Sequence, residues 1–178
     1  FIKKFVKDIS WRKIKEFWIR RWFRTMPNYF LILLINLLIL VILKKEIFFN
    51  YNYLIFCQNL FSPHPDFFDE AWSLTIEEWF YITLPLMFFI STLLLKNNSK
   101  YALLLSIISI FILSFTLRYI TISQAPNINW DEGIRKIVLL RLDSILTGVL
   151  MAWIQFYIPN VWKRTKTLTA IGLILLCI

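Results

Sequence analysis

The sequence predicts an all-α, polytopic membrane bundle, and three observations predict it. Of its 178 residues, 58% are hydrophobic and 18% aromatic, and the mean hydropathy is +0.63, outside the range of soluble globular domains. Four apolar segments, at residues 26–43, 79–95, 101–122 and 137–157, are each long enough to span a bilayer. None keeps the alternation of a membrane barrel, and open sheet edges cannot be satisfied in lipid. The excess of 20 Lys+Arg over 11 Asp+Glu, a formal charge of +9, fits cytoplasmic loops and anionic headgroups better than a nucleic-acid surface. Cys57 and Cys177 stand in apolar sequence with no C-x-x-C spacing, so neither a metal site nor a disulfide framework is indicated.

Taken in order, residues 1–25 hold nine basic side chains against Asp8 and Glu16, with apolar residues at helical spacing between them. That pattern predicts an interfacial amphipathic helix, broken near Ser10 as an N-cap, ahead of the first span at 26–43. The loop over 44–70 holds two basic and four acidic residues. Its semi-apolar piece at 51–61 is too short to cross and lies at the surface or re-enters. The span at 79–95 leads to the basic turn KNNSK, the span at 101–122 to a charge-balanced loop, and the span at 137–157 to Lys163, Arg164 and Lys166. Under the positive-inside rule the N-terminal segment, the KNNSK turn and the last loop face the cytoplasm, and the two long loops face out. The final apolar run, 167–178, would rise only about 18 Å as a helix, short of the roughly 30 Å of hydrocarbon. With Phe1 in place of an initiator Met, the expectation is one partial domain over 1–178, cut at both ends.

Three clusters could carry chemistry. In AWSLTIEEWFYITLP, residues 71–85, helical spacing puts Ser73, Glu77 and Tyr81 on one face, a polar stripe in a run otherwise fit for lipid. The alternative is that Glu77 and Glu78 sit among outer headgroups and favour a helix N-terminus. In VLLRLDSILTGVLMAW, Arg141, Ser144 and Gly148 share a small, polar face, and Arg141 is expected to pair with Glu77 and to be held by Asp143. A purely structural ion pair is the alternative. In RRWFRTMPNYF, Arg21 and Arg24 stand three apart and suit a polyphosphate, although basic residues flank cytoplasmic ends of many spans. The single histidine, His64 in SPHPD, reads as a solvated loop residue.

These stretches together carry a resemblance. They are R-x-x-R before T-x-P-N-Y (Arg21, Arg24, Pro27, Tyr29) and F-x-Q-N (Phe56, Gln58, Asn59). W-S-L-x-x-E-x-x-F-Y-x-x-x-P (residues 72–85, with Trp72, Ser73, Glu77 and Tyr81) and R-L-D-x-x-x-x-G (Arg141, Asp143, Gly148) follow. In this order they resemble the acyltransferase 3 family, integral membrane enzymes that O-acylate bacterial surface sugars. The resemblance implies transfer of an acyl group, often acetyl, from acyl-CoA as co-substrate to a hydroxyl of a glycan acceptor at the bacterial inner membrane. It gives Arg21 and Arg24 the acyl-CoA, makes Glu77, Arg141 and Asp143 the catalytic candidates, and leaves Trp72, Ser73 and Tyr81 in support. It makes Glu77, rather than Glu78, the motif's acid. The family's catalytic histidine lies upstream of all these motifs and His64 does not occupy its place, so the polypeptide as given is expected to be inactive. A transporter or flippase subunit, with Glu77 and Arg141 lining a substrate or proton pathway, is the alternative from another class.

Overall fold

The computed structural model describes residues 9–44, 49–65, 67–96 and 98–160. Its order is α1 (Trp11–Ile42), a 3-10 turn (Tyr51–Ile55), α2 (Ala71–Leu94) and α3 (Ser99–Gln124). A π turn (Asp131–Arg135), α4 (Val138–Arg141), a second 3-10 turn (Leu142–Ser144) and α5 (Leu146–Tyr157) complete it. The helices α1, α2, α3 and the combined run Val138–Tyr157 are each long and apolar enough to cross a membrane, and no strand occurs among the described residues. The chain is therefore an all-helical membrane bundle, as its composition predicts.

Ser10 caps α1 in extended conformation (φ −136°, ψ 153°), and its carbonyl accepts the first helical bond from the Ile14 N–H at 3.1 Å. Helix α1 therefore starts after Ser10, the expected N-cap position, but the boundary expected before the first span is not present. The basic stretch from Trp11 and the apolar stretch 26–43 form one helix of 32 residues. At about 1.5 Å per residue it is about 48 Å long, well over the roughly 30 Å of hydrocarbon. Pro27 lies inside it, frees one carbonyl a turn earlier, and is tolerated as prolines in membrane helices are. Residues 1–8, the basic loop with Lys163, Arg164 and Lys166, the run 167–178 and Cys177 lie outside the described residues.

The core follows from spacing. Ile76, Phe80, Leu84 and Phe88 recur every four residues along α2 and are all buried. They meet Ala102, Leu103, Ile107 and Ile110 of α3, and Val138, Leu142, Leu146 and Trp153 from the last run. The hydroxyls of Ser91 and Ser106 meet at 3.1 Å, where small side chains let α2 and α3 approach. On the outside, Leu34, Ile35, Leu38 and Ile42 of α1 and Ile108, Ile112 and Phe115 of α3 are exposed, a distribution suited to lipid.

α1 runs antiparallel to α2. Trp11 faces Phe89, the Trp18 indole N–H donates to the Tyr81 carbonyl at 2.9 Å, and Tyr29 stacks on Phe68 just before α2 begins. The two long loops share one end of the bundle. Asn59 Nδ2 donates to the Lys136 carbonyl at 2.5 Å, the Asn59 carbonyl accepts from Val138 N–H at 3.0 Å, and Lys136 Nζ lies 2.8 Å from Asp69. At the other end, the Trp153 indole N–H donates to the Lys100 carbonyl at 3.0 Å, tying α5 to the start of α3.

Candidate functional site

The i, i+4 spacing of α2 sets Glu77 one turn above Tyr81, and the antiparallel approach of α1 delivers Arg21 to both. Arg21 Nη2 lies 3.4 Å from Glu77 Oε2, and Arg21 Nε lies 3.7 Å from Glu78 Oε1. The guanidinium stacks over the Tyr81 ring with its carbon 3.1 Å from the centroid. The Thr25 hydroxyl, one turn after Arg21, sits 3.1 Å from Glu78 Oε1 and 3.2 Å from the Arg21 carbonyl, so its single proton serves one or the other. One cation thus faces two carboxylates. The Glu77 side chain is 49% exposed and that of Glu78 only 2%. Glu78 Oε2 and Arg21 Nε are both buried within the cluster.

Three expectations are corrected here. Loop charge assigns Arg21 and Glu77 to opposite membrane faces, yet they touch, because the basic half of α1 packs along α2. The cation facing Glu77 is accordingly Arg21, where Arg141 was expected. Asp143, expected to hold Arg141, instead pairs with Arg118 of α3 at 2.6 Å, each side chain 21% exposed. Arg141 is half-buried, with Nε enclosed and no side-chain partner among the described residues. The 3-10 turn Leu142–Ser144 separates the two, because it interrupts the helix between Arg141 and α5 and aims Asp143 at α3.

The remaining predicted residues take different places. Arg24 is exposed and lacks a side-chain partner among the described residues, whereas Arg21 faces Glu77 and Glu78. Ser73 is exposed, its hydroxyl 3.4 Å from the Glu70 carbonyl, and Trp72 sits under the Arg135 guanidinium at 4.6 Å. Both lie toward the loop end rather than in the carboxylate cluster. His64 is not solvated: its ring is buried edge-on against Tyr53 at 5.8 Å. The F-x-Q-N stretch is a clamp, with Gln58 donating to the Thr75 hydroxyl at 2.6 Å and the Phe56 carbonyl accepting from the Trp79 indole at 2.6 Å. Burial pushes the Cys57 thiol pKa up.

Sequence reasoning missed Arg118, Thr25 and the burial of Glu78. Arg118 was detectable as an ionisable side chain within an apolar span, the signal that singled out Glu77. Near the loop end, the hydrogen bond from Arg135 holds the Asp131 carboxyl below the usual carboxylate range, and the bond to Asp69 raises the Lys136 ammonium.

Beside the cluster, a groove of about 670 Å³ opens between α2 and α5. Tyr81 belongs to both, as a wall of the groove and as the ring under Arg21. No family model, curated protein or solved structure matches the chain.

Proposed function

We propose that the chain belongs to a multi-pass O-acyltransferase of the bacterial inner membrane. It would pass an acyl group, acetyl in the simplest case, from acyl-CoA to a hydroxyl of a surface glycan. The observation that carries this reading is the 3.4 Å approach of Arg21 to Glu77, which joins the R-x-x-R stretch and the W-S-L-x-x-E stretch in one polar cluster. Arg24 is the better phosphate ligand of the pair, since its guanidinium is exposed while that of Arg21 is committed to carboxylates. Glu77, half-exposed at the cluster's edge, would orient the acceptor hydroxyl or the general base, which the resemblance assigns to a histidine upstream of these motifs.

Membranes from cells expressing the whole protein, supplied with radiolabelled acetyl-CoA, test the reading. Label should enter glycan. Arg24→Ala should raise the KM for acetyl-CoA about tenfold, the equivalent of one charge-assisted hydrogen bond. Glu77→Gln should abolish transfer at normal membrane abundance. Absence of transfer from any acyl-CoA, with Glu77-dependent solute uptake in its place, would establish the transporter alternative.

A further inference from the structure

We infer that Glu78 is a positioning residue: it anchors the Arg21 guanidinium, and through Arg21 it sets the place of the Glu77 carboxylate. The role rests on the reading of Glu77 as the residue that orients the acceptor hydroxyl or its base.

The guanidinium is a rigid planar fork, and it is held on two edges and one face. Its Nε lies 3.7 Å from Glu78 Oε1, its Nη2 lies 3.4 Å from Glu77 Oε2, and its carbon stands 3.1 Å from the centroid of the Tyr81 ring. Together these contacts fix both the position and the plane of the group. The Tyr81 ring is itself packed edge-on by Phe17 and Phe80, at 6.2 and 5.5 Å between centroids.

The two carboxylates differ in what else holds them. The Glu78 side chain is 2% exposed, and the Thr25 hydroxyl, on the same helix as Arg21, lies 3.1 Å from its Oε1, so it is pinned in the contact between α1 and α2. Glu77 is half-exposed, and Arg21 is its one charged or hydrogen-bonding side-chain partner among the described residues. A glutamate without such a partner samples several rotamers. The place of Glu77 is therefore set by Arg21, and that of Arg21 by Glu78 and Tyr81.

Folding alone does not call for an acid at position 78. Exchanging a buried charge for a neutral residue of the same volume is often without cost to stability, but a neutral amide holds a guanidinium edge less firmly than a carboxylate does. The buried acid thus serves the exposed one.

Glu78→Gln in the whole protein tests the role, with two readouts: transfer from acetyl-CoA, and the carbon-13 resonance of the Glu77 carboxyl, assigned by its disappearance in Glu77→Gln. The unfolding midpoint and the KM for acetyl-CoA should be unchanged. The kcat should fall about tenfold to a hundredfold, the loss that a misplacement of up to about 1 Å produces. The Glu77 resonance should move toward that of a free glutamate. Arg21→Lys, which keeps the charge but not the planar fork, should give the same split between kcat and KM. An unchanged kcat or an unmoved resonance in Glu78→Gln would overturn the role. So would loss of the folded protein, which would make Glu78 structural, and a raised KM in Arg21→Lys, which would make that arginine a ligand of acyl-CoA. An unsubstituted protein that transfers nothing would defeat the acyl-transfer reading alone, because the resonance reports the placement of Glu77 without substrate.

Discussion

Glu77 and Glu78 are adjacent in sequence and differ in what their removal should cost. Arg21 is the cation of both, and its loss leaves Glu78 buried without a countercharge. Breaking a fully buried pair costs about 3–5 kcal/mol, and Arg21→Ala should fall somewhat lower, at about 2–3 kcal/mol, because the guanidinium keeps 21% exposure. Glu77→Gln should cost under about 1 kcal/mol, as for exposed pairs. Glu78→Gln keeps an acceptor for Thr25 while removing a buried charge, and should be close to neutral. Equilibrium unfolding in mixed micelles measures all three, and equal losses for Glu77→Gln and Arg21→Ala would refute this division. That two carboxylates stand in a run otherwise fit for lipid was legible in the sequence; the burial of Glu78 was not, because it depends on which side of α2 receives α1.

Two clamps hold elements together. The Arg118 to Asp143 pair ties α3 to the interrupted start of the last span, and each member is about four-fifths buried. A double-mutant cycle with Arg118→Gln and Asp143→Asn should return a coupling of about 1–3 kcal/mol. At the loop end, Asp131 accepts from Arg135 and lies 3.6 Å from Lys136, which also reaches Asp69. The Asp131 pKa is lowered in the fold, so its contribution is present above its unfolded value of about 3.9 and disappears as pH falls through the folded value. The Lys136 pKa is raised, so its contribution is present below its unfolded value of about 10.4 and is lost as pH rises through the folded one. Protection factors of the Gly133 and Lys136 amides, which bond the Asn129 and Asp131 carbonyls, should therefore be level through neutral pH and drop below about pH 4. Unchanged protection at low pH would mean that the carboxylate does not hold the π turn. The sequence marked this loop as charge-balanced, but its ionic network joins Asp69 to Lys136 across 67 residues and needed the fold to be seen.

In the whole molecule, both long loops sit at one end and the Lys96 to Lys100 turn at the other, since α2 and α3 are antiparallel neighbours joined by that short turn. With Cys57 and Cys177 replaced by Ser, single cysteines at Ser62 and Glu132 should label from the same side of sealed vesicles and one at Asn98 from the opposite side. Labelling of all three from one side would exclude the bundle as a spanning structure. The class of fold and the four spans were determined by the sequence alone, because apolar length and the absence of strand alternation are properties of contiguous residues and hydrocarbon admits few other solutions. Only the tertiary structure decided that the amphipathic stretch and the first span are one helix, that Arg21 meets Glu77 and Glu78, and that Arg118 meets Asp143. Those pairings depend on the axial shift and rotation of one helix against another. Interlocking side chains set both, as where Trp11 meets Phe89 and Phe17 meets Tyr81 between α1 and α2, and no spacing within a single helix encodes them.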